Sequence, residues 1–191
     1  LLILYELNNI CIMLNLKELR EIIETSGDII RWMKQNDINI NDKHLDGRTI
    51  LHVVCQYSPK ISTINLLLKN GARINEKTIL NYTPLHYFCG CNPSNNELAL
   101  ILKNGAKTDI KNNLGNLVLH TFCLNNPSVI GLCLLLQHVS NRKKIINTMN
   151  NSGLTPFHYL CMNNSSTESI YILLKCGADI NLRTDEDLTP L

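Results

Sequence analysis

The sequence predicts an all-α array of repeated helix–turn–helix units. Three observations carry this: a motif recurs around four histidines, a second motif recurs in phase with it, and proline and glycine keep to fixed places in the period. TILHVVC ends at Cys55, TPLHYFC at Cys89, LVLHTFC at Cys123 and TPFHYLC at Cys161. Their histidines, His52, His86, His120 and His158, are separated by 34, 34 and 38 residues. LLLKNGARIN (66–75), LILKNGAKTD (100–109) and LLKCGADIN (173–181) follow, with Gly71, Gly105 and Gly177 each 19 residues after their histidine. A fifth copy begins at Thr189-Pro190-Leu191.

Each element of the unit follows from its residues. Thr49, Thr83 and Thr155 are of a type that caps helix N-termini, and Pro84, Pro156 and Pro190 come one residue later, where a missing N–H is harmless. A first short helix starts there. Turn-rich stretches holding Pro59, Pro93 and Pro127, each 7 residues after the histidine, separate it from a second helix. That helix carries Ile64, Leu67 and Leu68, or Leu98, Ile101 and Leu102, at helical spacing, and ends at a glycine suited to the left-handed cap. An extended finger follows. Gly47, Gly115 and Gly153, with Asn81 and Asp187 in the same place elsewhere, sit two residues before the threonine position, where a tight turn must reverse the chain.

Composition narrows the function classes. The chain has 191 residues and a net charge of +2 with histidine neutral, too little for the basic footprint of a nucleic-acid binder. The same small charge suggests a partner chosen by shape and local contacts rather than by long-range attraction. The most apolar stretch, LLILYELNNICIML, is interrupted by Glu6, Asn8 and Asn9, so no bilayer span is expected. Nor does it have the basic flank and small-residue cleavage site of a secretory signal.

The repeated pattern resembles the ankyrin repeat, whose T-P-L-H signature, paired helices and Gly-Ala-Asp-x-Asn exit are matched by residues 49–75, 83–109 and 155–181. The resemblance implies an ankyrin-type solenoid of stacked helix–turn–helix units with β-turn fingers. Its expected parts are an apolar lead segment (1–14), a degenerate N-terminal repeat (15–45), repeats at 46–79, 80–113 and 152–185, a divergent repeat at 114–151, and the start of another at 186–191. In the degenerate unit, Asn15 takes the capping position, followed by Leu16, Leu19, Ile22 and Ile23. In the divergent copy Leu117 stands where threonine is expected, Val139 replaces the capping glycine, and SNRKKIIN (140–147) adds about four residues before the finger. A chain starting at Leu1 and stopping within a motif is expected to be a fragment, with the apolar side of its last full repeat uncovered.

Four of the eight cysteines follow a histidine by three residues. H-x-x-C on a helix puts both side chains on one face, as a metal site requires. Neighbouring helices stack about 8–10 Å apart, too far for two such pairs to share one zinc or for a disulfide. Cys55, Cys89, Cys123 and Cys161 are therefore expected to be small buried thiols, while Cys91 and Cys176 are candidates for exposure. Reduced thiols in this number suggest a cytoplasmic or nuclear setting. Four near-identical Cys–His pairs argue against one preorganised catalytic site, so the histidines are expected to orient each turn through hydrogen bonds near the threonine. No catalytic residue, metal or cofactor is expected, and stoichiometric zinc in purified protein would be needed to revive the metal reading.

What remains is recognition over an extended concave surface. The resemblance places partner contacts on the fingers and on the first helices. The finger candidates are Lys43, His44, Asp46 and Arg48; Glu76, Lys77, Asn81 and Tyr82; Lys111, Asn112, Asn113 and Asn116; and Met149, Asn150 and Asn151. The helix candidates are Gln56, Tyr57, Leu124, Asn125, Met162 and Asn163, and of all these Tyr57, Tyr82, Met149 and Met162 are the expected anchors. The 34-residue period, the 26 asparagines and 22 isoleucines, and turns such as HYFCGCNPSN and HTFCLNNPSV look like the ankyrin proteins of poxviruses. That similarity implies a host-range or immune-evasion factor that grips a host protein in the cytoplasm. Many such proteins recruit a cullin-type ubiquitin ligase through an F-box-like C-terminal segment, which is not among these residues. The alternative is a cellular ankyrin scaffold organising its own host's complexes.

Overall fold

A computed structural model describes residues 21–22, 28–57, 60–91, 94–125, 128–163 and 166–191. The lead segment, Asn15, Leu16, Leu19, Ile23 and the turns at Pro59, Pro93 and Pro127 lie outside the described residues. Among those described there are ten helices and no strand: α1 Ile29–Gln35, α2 Ile50–Tyr57, α3 Ile61–Lys69, α4 Pro84–Gly90, α5 Asn95–Lys103, α6 Val118–Leu124, α7 Val129–Gln137, α8 Arg142–Ile146, α9 Pro156–Met162 and α10 Thr167–Lys175. The inner helices stack in the order α2, α4, α6, α9 and the outer helices in the order α3, α5, α7, α10. The fold is the expected all-α solenoid.

The outer helices end as their glycines dictate. Gly71, Gly105 and Gly177 have φ of 88°, 85° and 93°. In each case the glycine N–H and the next N–H return to carbonyls of the last turn, as in Gly71 to Leu68 (3.1 Å) and Ala72 to Leu67 (3.0 Å). In the divergent copy this closure changes. His138 caps α7, the Arg142 guanidinium donates to the Leu136 carbonyl at 2.8 Å, and the additional residues form α8 instead of a longer loop.

The core runs along the seam between the two helix layers. Phe88, Phe157, Ile64, Leu67, Leu98, Leu132 and Leu160 are fully enclosed, each contributing about 1.5–3 kcal/mol of apolar burial. Cys55, Cys89 and Cys123 are buried free thiols packed between inner helices, and burial pushes their ionisation well above the ordinary thiol range. Cys161 departs from the expectation and is only half-buried, since among the described residues no further inner helix covers α9. Cys91 is exposed as expected, whereas Cys176 is half-buried because Ala178 and α10 carry it against the core cluster. None of the helices formed by the described residues is long and apolar enough to cross a membrane.

Candidate functional site

The histidines set the geometry of the fingers. The Thr49 backbone N–H donates to His52 Nδ1 at 3.1 Å, and the same bond recurs from Thr83 to His86 (3.2 Å), Leu117 to His120 (3.1 Å) and Thr155 to His158 (3.1 Å). An Nδ1 that accepts leaves the ring proton on Nε2. That Nε2–H donates across the seam to a carbonyl 28 to 34 residues on: Tyr82 at 3.2 Å, Asn116 at 3.3 Å, Thr148 at 3.0 Å together with Leu154 at 3.2 Å, and Leu188 at 3.2 Å. Each histidine therefore joins its own helix start to the next finger. Leu117 lacks a hydroxyl, so its copy keeps only the backbone half of the cap. Burial holds His52, His86 and His120 in the neutral form, with pKa values lowered to about 4.

The fingers share one turn. Gly47, Asn81, Gly115, Gly153 and Asp187 all have positive φ, as the sequence predicts. The residue two positions before each turn residue donates its N–H to the carbonyl of the previous finger: Ile79 to Asp46 (3.0 Å), Asn113 to Leu80 (3.0 Å), Asn151 to Leu114 (3.0 Å) and Asp185 to Ser152 (3.4 Å). A side chain at Gly115 would put its Cβ 2.8 Å from the Asn151 nitrogen, so glycine is needed here for close approach as well as for φ.

A second tie uses asparagine. Asn41 Nδ2 donates to the Gly71 carbonyl (3.0 Å) and its Oδ1 accepts from the Arg73 N–H (2.9 Å). Asn75 does the same with Gly105 (2.9 Å) and Lys107 (2.8 Å), and Asn147 with Gly177 (2.8 Å) and Asp179 (2.9 Å). Asp109 occupies that register in the remaining seam. A carboxylate has no amide donor for the Val139 carbonyl, and the clasp is missing there.

Several expected contact residues are spent on holding fingers together. Lys43 forms an ion pair with Glu76 at 2.7 Å and donates to the Lys77 carbonyl, while Lys111 donates to the Met149 carbonyl at 3.0 Å. His44, Asp46 and Arg48 form a local network, with Arg48 Nε 2.6 Å from Asp46 Oδ2 and its terminal N–H on Gln56. These donors hold the Asp46 carboxyl below its usual range against the opposing effect of partial burial. Asn81, Asn113 and Asn151 link successive tips through their amides. Asn163 donates to the Cys123 and Leu124 carbonyls, and Asn125 to Thr121. Asn116 corrects the expectation: it is 7% exposed, its Oδ1 accepts from Asn150 at 2.7 Å, and it has little surface to offer a partner. Asn112 is likewise buried.

Other expected residues do face outward. Lys77, Tyr57, Leu124 and Met162 are exposed, Met162 at 67%, while Met149 is half-buried. Tyr82 is half-buried, its ring 5.7 Å from His86 edge-on and 5.6 Å from Tyr87. Sequence reasoning missed the apolar tips: Ile79 is 66% exposed, Leu80 and Leu114 57% each, and Leu45 46%. The available signal was an apolar residue one or two places before the turn position (Leu80 and Leu114, Leu45 and Ile79), where the other fingers carry polar ones. Among the described residues no group of three or more His, Cys, Asp or Glu side chains is placed to hold a metal.

The family model for ankyrin repeats, three copies long, matches residues 21–112 and 88–184 in two overlapping placements. No curated protein matches the chain. With the stacked helix pairs, the cap built around each histidine and the linked fingers, that match places the chain in the ankyrin-repeat family, to which it belongs.

Proposed function

We propose that the array is the target-binding part of a viral host-interaction factor, gripping a host protein on the face made by the fingers and inner helices. An ankyrin-repeat chain is a protein–protein interaction module, and members of the family are typically binding modules rather than enzymes. The observation that carries the choice of surface is the row of apolar tip residues, Leu45, Ile79, Leu80 and Leu114, exposed on fingers whose backbones are bonded to one another. Rigid, exposed apolar side chains supply contact area at small entropic cost. The Asn- and Ile-rich composition and the turn sequences support the poxvirus-like reading. In that reading a segment C-terminal to these residues delivers the captured protein to a cullin-type ubiquitin ligase in the host cytoplasm.

Affinity purification of the full-length protein from infected cells tests this. A specific host protein should be recovered, and Ile79→Asp with Leu114→Asp should abolish its recovery. Capture that survives those changes as well as Tyr57→Ala, Tyr82→Ala and Lys111→Ala would refute the surface. A kinase, channel or membrane segment beyond Leu191 would replace the viral reading with a cellular scaffold.

A further inference from the structure

The seam between Asp109 and Val139 lacks a part that the other seams have. In those, one primary amide bridges a finger to the next helix exit, donating to a carbonyl and accepting from the N–H two residues on: Asn41 with Gly71 and Arg73, Asn75 with Gly105 and Lys107, Asn147 with Gly177 and Asp179. The corresponding pair here is the Val139 carbonyl and the Asn141 N–H. Among the described residues neither group is hydrogen-bonded, and the Asp109 carboxylate has no partner either. Val139 is nevertheless buried, and backbone groups in such places are normally paired.

The seam stands open as a cleft of about 310 Å³, with Lys107, Asp109, Val139 and Ser140 in its wall beside the apolar Leu102 and Ile145. His138 also lines it, its Nδ1–H donating to the Leu134 carbonyl of its own helix at 2.9 Å. The polar lining is balanced. Lys107 and the Ser140 hydroxyl can donate, Asp109 and the Val139 carbonyl can accept, and the one lysine is not ion-paired with the one carboxylate. An anionic guest would be opposed by Asp109 and a cationic one by Lys107. A neutral group with a donor and an acceptor side by side is opposed by neither.

We propose that this cleft takes the carboxamide side chain of a glutamine from a second protein, at a docking site separate from the fingertip surface. The guest amide nitrogen donates to the Val139 carbonyl and the Asp109 carboxylate, and its oxygen accepts from Lys107 or Ser140. The volume suits one or two side chains, and the apolar Leu102 and Ile145 favour the longer stem of glutamine over asparagine. The chain's own asparagines are the template. The group that closes the other seams from within closes this one from outside.

Two-dimensional proton–nitrogen NMR of the full chain, titrated with N-acetylglutamine N-methylamide, tests this. A lone side chain should bind in the millimolar range, with saturable shifts at the backbone amides of Lys107, Asp109, Val139, Ser140 and Asn141. The glutamate and leucine analogues, which lack the amide nitrogen, should bind about tenfold or more weakly. Asp109→Asn restores an internal amide, so it should raise the urea midpoint and abolish the saturable shifts. Lys107→Met, a change at an exposed side chain, should weaken binding about threefold or more and serves if the first variant is unfolded by circular dichroism. Ile79→Asp/Leu114→Asp should bind as wild type, which separates the fate of this site from that of the fingertips. Absence of saturable shifts, shifts scattered outside the cleft, equal affinity for the glutamine, glutamate and leucine compounds, or undiminished binding by a folded Asp109→Asn or by Lys107→Met would overturn the proposal.

Discussion

Acidification should weaken the stack through three histidines. His52, His86 and His120 have pKa values of about 4 in the folded chain because burial disfavours the charged ring, against about 6.5 when unfolded. The unfolded chain therefore binds more protons between about pH 4 and pH 6.5, so the stabilisation is complete above that window and is lost as pH falls through it. At about pH 5 each histidine has given up about 2 kcal/mol relative to neutral pH, and the three together about 6 kcal/mol, with a mid-window slope of about 1.2 kcal/mol per pH unit for each. That is comparable with the whole stability of a typical domain, about 5–15 kcal/mol. Asp46 and Glu76 have lowered pKa values, so their contributions fade only below about pH 5, at the lower end of this window and below the range in which the slope is measured. Urea unfolding followed by circular dichroism between about pH 5 and pH 7.4 measures the slope, and His86→Gln should remove about a third of it. A stability unchanged over that range, or a slope unaltered in His86→Gln, would refute the neutral, buried imidazole on which the seam bonds rest.

Gly115→Ala should lose about 2–3 kcal/mol, because strain at positive φ adds to the approach of the Asn151 backbone. Gly105→Ala, with nothing within 4 Å of the new methyl, should lose only about 1 kcal/mol, and equal urea midpoints for the two would discount the close approach. Asn75→Ala removes both bonds of a clasp and should lose about 1–3 kcal/mol, whereas Asp109→Ala should stay within about 0.5 kcal/mol of wild type in the same assay. At neutral pH a maleimide should label Cys91 in the native protein and leave Cys55, Cys89 and Cys123 unlabelled until denaturant is added, and mass mapping that finds Cys89 modified natively would contradict its packing.

Much of this molecule is written locally. The helix starts at threonine, the left-handed exits at Gly71, Gly105 and Gly177, and the finger turns at Gly47, Asn81 and Asp187 each depend on a few neighbouring residues, and all are readable from type and spacing. The bonds from His52 Nε2 to Tyr82 and from Asn75 to Gly105 each span 30 residues, and no local pattern reports them. For the same reason Asn116 looks available in the sequence and is buried in the fold, since its burial is created by Asn150 of the next finger. α8 is too short, at 5 residues, to show helical periodicity.

The bonds that hold successive fingers side by side run through backbone groups of residues such as Ile79 and Asn113, and the seam ties run through histidine and asparagine set further back. The side chains of Leu45, Ile79, Leu80 and Leu114 at the tips are bystanders to that scaffold. Natural selection can therefore rewrite those tip positions with little penalty in folding, so variants of this array can exchange one target for another while the frame beneath stays unaltered.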